Sequence, residues 1–445
     1  MILAGMLRAA TGLARRIRMR VPALGRGAIP GAPVVDHGPA RDHVVMLAPE
    51  NRIDRRILLE GRALRQTGFR VTIIAAPRPA GEVDDDDFPE LDIVRLDLQA
   101  RVPLQVNWAD ALPPRDWNAV YWLTDRFYLA AVTRPAEVYV AHDLPVLPAA
   151  LMAALLHGSL LVYDAHELFP EQHWIEEPRR RMLAEVEAEL IRLVHHGVTV
   201  NESLAREIAQ RYGVPEFMVI LNAPARLLEP HEPPGDLLRR ALGIPADRLI
   251  LLFQGGLVDH RNLELLVEAM ARVRNERVIL VFLGDGALHA SLEERAAQLG
   301  LLGSRVRFHP FVPQRQLLLY TRCADAGIVP YPHVDLNSYY CTPNKLFEYL
   351  AVGVPVLANE SPELRRFVGD LGTGLNRPMT DAAGIAQAID DLFDDEDRLA
   401  SFRRRADEVG PALTWDAEAT KLVTAYRTWV ADRRRARRPV PAGSV

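Results

Sequence analysis

A short amphipathic helix that runs straight into an apolar strand constrains the fold of this chain more than any other feature. Residues 342–358 have the sequence TPNKLFEYLAVGVPVLA. Apolar side chains recur at helical spacing from Lys345 to Val352, and Gly353 is placed to end that helix. Residues 354–358 are apolar and few enough to form a buried parallel strand. The stretch therefore predicts one unit of an α/β protein.

The same alternation of strand and helix occurs in both halves of the chain. A strand at residues 43–49, a helix at 55–66 and a strand at 71–75 form a β-α-β unit, which predicts a parallel sheet. The pattern begins again after a proline-rich stretch at residues 228–235. We therefore expect two doubly wound, Rossmann-like domains that face each other across a cleft. The expected domains are residues 36–228 and residues 229–411.

Composition excludes several classes of function. The chain has 445 residues and a net charge of −5, which gives no support for nucleic-acid binding. Its two cysteines predict neither a disulfide framework nor a metal cluster, and they are typical of a protein in a reducing cytoplasm. A run of aspartates, Asp84–Asp87, lies between predicted strands, and we interpret it as a solvated loop, not a metal site.

Both ends of the chain are basic. Residues 1–35 carry arginines but no acidic side chain, and their apolar runs are too short for a secretory core or a membrane span. Two interpretations remain open for this arm: an amphipathic helix on an anionic membrane surface, or a disordered or misassigned start. An amphipathic helix is predicted at residues 415–429, and another helix at 185–195. Residues 431–445 are expected to form a solvated tail.

Charged and polar side chains follow several predicted strands of the first half. His142 and Asp143 follow one strand, and His166 and Glu167 follow the next. Ligands of a doubly wound sheet bind beyond the carboxyl ends of its strands, so these pairs should converge on the cleft. His142 could equally be a structural residue. The same edge also holds Asp54 and Arg55. The first of these suits the N-cap of a helix as well.

The second half has a pattern suited to a phosphate group. Gly255 and Gly256 lie between a predicted strand and a predicted helix, where a backbone can approach a phosphate and the helix N-terminus favours negative charge. Arg261 lies at the start of that helix. Lys345 and Glu348 lie near one end and one face of the helix described first, where they could bind an anionic, polyhydroxylated ligand or form a surface ion pair.

The segment PNKLFEYLAVGVPVLA resembles the nucleotide-sugar signature of GT-B glycosyltransferases, specifically of the large retaining family 4. The resemblance covers residues 42–430 and is strongest over 342–358. It implies that Glu348 binds the ribose hydroxyl groups of a nucleotide. Tyr340 stands where the family often has a second glutamate, which faces the sugar. The fold also implies that the last helix, placed at residues 412–430, packs back on the first domain.

The resemblance assigns further roles. Arg261 stands where the family has a basic residue that holds the diphosphate, and Gly256 stands where a second arginine is usual, so Lys345 is the candidate to replace it. The segment YDAHELFPE is similar to one whose histidine lies next to the transferred sugar, which implies that role for His166. The expected catalytic residues are His166, Arg261 and Lys345. The expected donor-binding residues are Gly255, Gly256, Arg261, Tyr340, Asn344, Lys345 and Glu348. The acceptor-side candidates are Asp54, Arg55, His142, Asp143 and Glu167.

The implied function is metal-independent transfer of a hexosyl group, with retention, from a nucleotide-diphosphate sugar to a glycan or lipid-linked acceptor. No cofactor is expected. The implied setting is cell-surface polysaccharide assembly, in the cytoplasm or on the inner face of the plasma membrane. Three alternatives remain: a nucleotide-sugar 2-epimerase, which would need extra acid-base carboxylates on the first domain, a catalytically silent partner protein, and a periplasmic-type sugar-binding protein. The absence of a recognisable signal peptide disfavours the last.

Overall fold

Two parallel β-sheets, one in each half of the chain, organise the structure. The structure is a computed structural model that describes residues 41–78, 88–98, 119–225 and 236–436. The first sheet has the strand order β3-β2-β1-β4-β5-β6-β7, and the second has the order β10-β9-β8-β11-β12-β13. The first seven strands are β1 (His43–Ala48), β2 (Arg70–Ala75), β3 (Asp92–Arg95), β4 (Val138–His142), β5 (Leu160–Ala165), β6 (His196–Thr199) and β7 (Met218–Val219). The other six are β8 (Leu249–Gln254), β9 (Val278–Leu283), β10 (Val306–His309), β11 (Ala326–Val329), β12 (Val356–Ala358) and β13 (Gly374–Asn376).

Helices connect the strands and cover the sheets. In the first half they are α1 (Arg55–Gln66), α2 (Thr124–Val132), α3 (Leu147–His157), α4 (Arg179–Leu190) and α5 (Glu202–Tyr212). In the second half they are α6 (Leu237–Leu242), α7 (Leu263–Met270), α8 (His289–Gln298), α9 (Gln314–Thr321), α10 (Leu336–Tyr340), α11 (Asn344–Ala351), α12 (Pro362–Leu364), α13 (Ala382–Phe393), α14 (Glu396–Val409) and α15 (Trp415–Ala436). The predicted architecture of two doubly wound domains is confirmed.

Each sheet is buried on both faces, which is why its strands are almost continuously apolar. Successive residues of a strand point to opposite faces. Accordingly Val45 and Leu47 of β1 belong to one buried cluster, whereas Val44 and Met46 belong to another. The strands of the second sheet divide between two clusters in the same way. The carboxyl ends of both sheets are thereby left as the edges where polar side chains can gather.

The last helix, α15, packs on the first domain although it follows the second in sequence. Its apolar face, which includes Leu422 and Tyr426, lies in the same buried cluster as β1. Arg434 pairs with Glu137 at 2.5 Å and with Asp42 at 2.9 Å. The helix therefore continues through residues 431–436, where the sequence predicts a solvated tail. Residues 437–445 lie outside the described part of the chain.

Some predicted elements have different bounds. The helix predicted at residues 185–195 is α4, which begins at Arg179 directly after Pro178 and ends at Leu190. The chain then enters β6, in which His196 pairs in register with Val162. The ring of His196 also stacks on that of Trp429, with the ring centres 4.2 Å apart. Strand β3 and helix α2 were not predicted. The basic arm, the aspartate run and the proline-rich stretch lie outside the described residues. The described residues contain no helix long and apolar enough to cross a membrane.

Candidate active site

A cavity of about 360 Å³ opens at the carboxyl edge of the second sheet, between the loop after β8 and the start of α11. It brings together residues that lie far apart in the sequence. Its polar lining includes Gln254, Gly255, Arg261, Gln314, Tyr331, Asn344, Lys345 and Glu348. Most of the donor-binding residues predicted from the sequence therefore lie around one space. We call this space the donor cavity.

The loop after β8 is held close to the neighbouring strand. Gly255 has a φ of +112°, which favours glycine, and its N–H donates to the carbonyl oxygen of Leu283 at 2.9 Å. A Cβ atom on Gly255 would lie 3.6 Å from Nζ of Lys345. Nη1 of Arg261 donates to the carbonyl oxygen of Gly256 at 2.8 Å and so closes the loop over this edge. Backbone and two cationic side chains thus converge on one wall.

The side chain of Lys345 is buried among aromatic rings. Its Nζ donates to the hydroxyl of Tyr331 at 2.8 Å and lies 3.6 Å from the ring centre of Phe253. Burial, together with the charge of Arg261, holds the pKa of Lys345 well below its usual value, although Glu348 opposes this. A second cation beside a buried lysine is unfavourable until an anion binds between them. The arrangement is suited to a phosphate or diphosphate group.

Glu348 faces the same cavity from α11. Its Oε2 accepts a hydrogen bond of 2.5 Å from Nε2 of Gln254, whose own Oε1 accepts one of 2.8 Å from Thr321. Burial raises the pKa of Glu348, while Gln254 and Lys345 oppose the rise. Gln254, which the sequence analysis did not single out, therefore fixes the orientation of this carboxylate. A carboxylate held in this way can accept hydrogen bonds from a pair of ligand hydroxyl groups.

The first domain contributes His166, at the carboxyl end of β5. Nε2 of His166 lies 3.5 Å from Oδ2 of Asp164 and 3.2 Å from Nδ1 of His142. Its backbone N–H donates to Asp143 at 2.8 Å. Burial lowers the pKa of His166, but Asp164 and Asp143 outweigh it and raise the pKa to about 10. Asp143 has a φ of 62°, a strained conformation that buried contacts must maintain.

Three buried side chains, Arg56, His142 and Asp164, lie beside His166. His142 is fully buried behind His166, and burial lowers its pKa. Only His142, Asp164 and His166, among the described residues, form a group of three or more side chains that could hold a metal ion. However, Nη2 of Arg56 already pairs with Asp164 at 3.2 Å. A cation there would have to displace the guanidinium, so these residues fit a positioning role better than a metal.

A second cavity, of about 300 Å³, adjoins the first at the cleft. It is lined on the first domain by Glu50, Asp54, Arg55 and Asn222, among others. Both cavities share three lining residues: Gln314, Asn344 and Glu348. We call the second space the cleft cavity.

The remaining predicted residues lie around these spaces in different ways. Asp54 serves as the N-cap of α1, because its carboxylate accepts from the backbone N–H of Arg56 at 2.8 Å. Glu167 is half-buried near the charge of His166, and loss of solvation raises its pKa. Tyr340 does not line the donor cavity: its ring packs against the core of the first domain, and its carbonyl oxygen accepts from Asn201 at 2.9 Å. The structure therefore does not join Tyr340 to the other donor-side candidates.

Three residues of the site are not among the candidates named from the sequence: Glu50, Gln254 and Gln314. Gln254 is the last residue of β8 and Glu50 follows β1, so both occupy the strand-end positions that the sheet predicts for ligand binding. Gln314 begins α9 and lines both cavities. A strand-end position was thus the available signal for two of them.

Comparison with known proteins identifies related domains in both halves. Residues 53–223 match the family model for Glycosyltransferase Family 4, and residues 236–409 match the model for Glycosyl transferases group 1. The D-inositol 3-phosphate glycosyltransferase of Thermobispora bispora is 30% identical over 282 residues, which are 60% of this chain and 63% of that protein. The lipopolysaccharide core biosynthesis glycosyltransferase LpsE of Rhizobium meliloti is 31% identical over 172 residues, 39% of this chain and 46% of that protein. The chain spans 63%, 60% and 56% of the length of three D-inositol 3-phosphate glycosyltransferases that it matches.

Solved structures share the fold. Sucrose-phosphate synthase from Thermosynechococcus elongatus has a TM-score of 0.69 at 20% identity, with 88% of this chain and all (100%) of that chain covered. Anabaena Alr3699/HepE, in complex with UDP and glucose, has a TM-score of 0.67 at 14% identity, with 88% and 99% covered. At these identities the likeness concerns the fold, which is the two-domain GT-B arrangement.

Proposed function

We propose that this chain, whose two halves belong to the Glycosyltransferase Family 4 and Glycosyl transferases group 1 families, transfers a sugar from a nucleotide-diphosphate donor to a hydroxyl group of an acceptor. One observation carries the proposal. A single cavity contains a carboxylate, Glu348, and two cations, Arg261 and Lys345, beside the backbone of Gly255. A ribose needs a hydrogen-bond acceptor such as the carboxylate, and a diphosphate needs cations such as the arginine and the lysine.

Each residue has a role that follows from its chemistry. Glu348, oriented by Gln254, accepts hydrogen bonds from the ribose hydroxyl groups. Arg261 and Lys345 stabilise the negative charge that develops on the diphosphate as the glycosidic bond breaks, and the burial of Lys345 strengthens this effect. His166, which follows β5 in the other domain, contacts the transferred sugar in this proposal. Closure of the two domains excludes water, which would otherwise hydrolyse the donor.

We propose that transfer proceeds with retention by attack on the face from which the diphosphate leaves. The bond from the anomeric carbon to the phosphate oxygen breaks, and the bond to the acceptor oxygen forms on the same face. The acceptor proton passes to the leaving phosphate. Two protein cations beside the diphosphate support a reaction that needs no metal ion.

The acceptor is a glycan or a lipid-linked sugar in this proposal, and the product belongs to cell-surface polysaccharide assembly. The similarity to a lipopolysaccharide core glycosyltransferase supports that assignment. The similarity to D-inositol 3-phosphate glycosyltransferases makes D-inositol 3-phosphate the first small acceptor to test. The basic arm at residues 1–35 supports attachment to the inner face of an anionic membrane.

A nucleotide-sugar 2-epimerase is the second candidate function. Such an enzyme needs acid-base carboxyl groups on the first domain, and this chain has three candidates there. Burial raises the pKa of Glu50, Asp143 and Glu167, all of which lie near His166. Groups with raised pKa values can exchange protons near neutral pH. An epimerase would convert its donor without any acceptor, which separates the two functions experimentally.

The test begins with nucleotide binding. The full chain is titrated with UDP, GDP and their sugars by calorimetry, with and without EDTA, beside the Glu348→Ala variant. We expect one nucleotide to bind without metal and to bind about tenfold or more weakly to the variant, because a charged hydrogen-bonding group is lost. Glu294→Ala, an exposed position on α8, is the matched control.

The product then decides between the functions. Donor and D-inositol 3-phosphate are incubated with the protein, and the anomeric configuration of the product is read by NMR. A retained configuration supports the proposal, and an inverted one refutes the mechanism. Conversion of the donor alone into its 2-epimer would establish the second candidate. If no nucleotide binds, the chain is a catalytically silent relative.

A further inference from the structure

Glu50 has no role in the glycosyl transfer proposed above. It follows β1 at the carboxyl edge of the first sheet and lines the cleft cavity together with Arg55 and Asn222. That cavity shares Gln314, Asn344 and Glu348 with the donor cavity. A group bound beside Glu50 would therefore be a direct neighbour of a bound donor.

One oxygen of the Glu50 carboxylate, Oε2, has no hydrogen-bond partner in the described parts of the chain. This oxygen is shielded from solvent. Leaving a buried carboxylate oxygen without a donor costs free energy, so such an atom needs an explanation in the function of the protein. Tyr121, a neighbour that could have donated, gives its hydroxyl to the carbonyl oxygen of Pro49 at 2.7 Å instead.

The charged groups near Glu50 do not compensate for the burial of its carboxylate. Burial raises its pKa to about 7, and the nearby His166 only partly opposes that rise. The carboxylates of Asp54 and Glu167 raise it further. Glu50 in turn raises the pKa of Asp143 and of Tyr121. The side chain is thus a desolvated hydrogen-bond acceptor between acidic neighbours, a setting in which a neutral hydroxyl is a better ligand than an anion.

We propose that Glu50 binds the acceptor substrate: Oε2 accepts a hydrogen bond from a hydroxyl group of the acceptor and holds it in the cleft cavity beside the donor. This inference rests on the proposed function and names the residue that recognises the second substrate. It also states the class of ligand, a neutral polyol or sugar hydroxyl. The step involves no proton transfer to Glu50, because the leaving phosphate receives the acceptor proton.

The experiment uses the full chain and the nucleotide sugar that it binds, with glycerol as the probe of the acceptor site. Glu50→Gln removes the charge and keeps the shape, Glu50→Ala removes the group, and Glu216→Gln is the matched control at an exposed position. We expect transfer to glycerol to fall about tenfold or more in both Glu50 variants, the loss typical of a hydrogen bond to a charged group. The affinity for the nucleotide should stay within about twofold of the native value.

A second measurement does not depend on turnover. In protein labelled with ¹³C at the glutamate carboxyl carbon, the signal that disappears in Glu50→Gln belongs to Glu50. Titration of the nucleotide-bound protein with glycerol should shift this signal and leave that of Glu216 in place. Unchanged transfer in the variants, or a Glu50 signal that does not respond to glycerol, overturns the inference. Failure of the proposed function would look different, because the native protein would then bind no nucleotide. In that case the inference about Glu50 would also be refuted.

Discussion

His173 of the first domain lies against His260 of the second, with the two ring centres 4.2 Å apart. The backbone N–H of His173 also donates to the carboxylate of Asp335 at 2.6 Å. His260 belongs to the loop that carries Arg261, and its φ of 60° is unusual for a side chain other than glycine. One side chain of the first domain therefore supports the loop that lines the donor cavity in the second.

We predict that this pair couples the two domains. A double-mutant cycle with His173→Ala, His260→Ala and the double variant should give an interaction free energy of about 0.5–1.5 kcal/mol, the range of paired rings. Denaturant unfolding monitored by intrinsic fluorescence measures it. Additive effects of the two substitutions would show that the rings are merely adjacent.

Lys345 should make nucleotide binding dependent on pH. Burial and Arg261 hold its pKa below the usual value, so the folded, unliganded protein binds this proton weakly. A diphosphate raises that pKa again, so binding takes up protons, and the affinity for the nucleotide falls as pH rises. Calorimetry in buffers of different ionisation enthalpy measures the uptake.

The matching variant for this effect is Lys345→Met, which should bind the nucleotide about tenfold or more weakly and take up fewer protons. Lys421→Met serves as its control, because Lys421 is exposed and pairs only with Glu418 among the contacts described for it. Equal proton uptake by Lys345→Met and the native protein would contradict the assignment of the lysine to the diphosphate.

His166 should make stability fall as the solution becomes alkaline. Burial lowers its pKa, but Asp164 and Asp143 outweigh this effect, so the folded value is about 10 against 6.5 for an ordinary histidine. A raised pKa contributes stability that is fully present below pH 6.5 and is lost as the pH rises toward 10. The free energy of unfolding of the native protein, minus that of His166→Gln, should decrease by about 1.4 kcal/mol per pH unit in this window.

Urea denaturation at several pH values between roughly 6 and 10 tests this prediction, because that range spans the unfolded and folded pKa values of His166. The difference between two proteins isolates His166, since the other titrating groups are common to both. A difference that does not change with pH would mean that His166 is neutral in the folded protein.

Gly284 should be irreplaceable for the shape of the donor cavity. A Cβ atom there would lie 2.0 Å from the carbonyl oxygen of Gly255, and its φ of +151° also disfavours a side chain. Gly284→Ala should therefore displace the loop after β8, lower the stability by about 1–3 kcal/mol and weaken nucleotide binding.

Gly300→Ala is the matched control for that substitution, because Gly300 has a φ of +70° but no atom within 4 Å of its Cβ position. It should cost about 1 kcal/mol through backbone strain and leave nucleotide binding unchanged. Thermal unfolding and calorimetry measure the two effects. Similar nucleotide affinities for both variants would show that the close approach to Gly255 does not shape the cavity.

Local patterns in the sequence were enough to predict the α/β class, the division into two doubly wound domains and the strand-end position of most site residues. These features are local: an apolar strand, a helix and its capping glycine are encoded within a few neighbouring residues, as in residues 342–358. Arg261, Lys345 and Glu348 were found in this way, because each lies next to a local pattern. His166 was found because it ends a strand.

The contacts between side chains and the directions in which they face depend on the three-dimensional packing of the chain. Tyr340 has the right position in sequence for a donor residue, but α10 turns its ring toward the first domain. Glu50 and Gln254 share a strand-end position with many other residues, and only the cavities that they line distinguish them. The physical reason is that strand order and the docking of the two domains bring distant loops together, and no short-range period in the sequence records those distances.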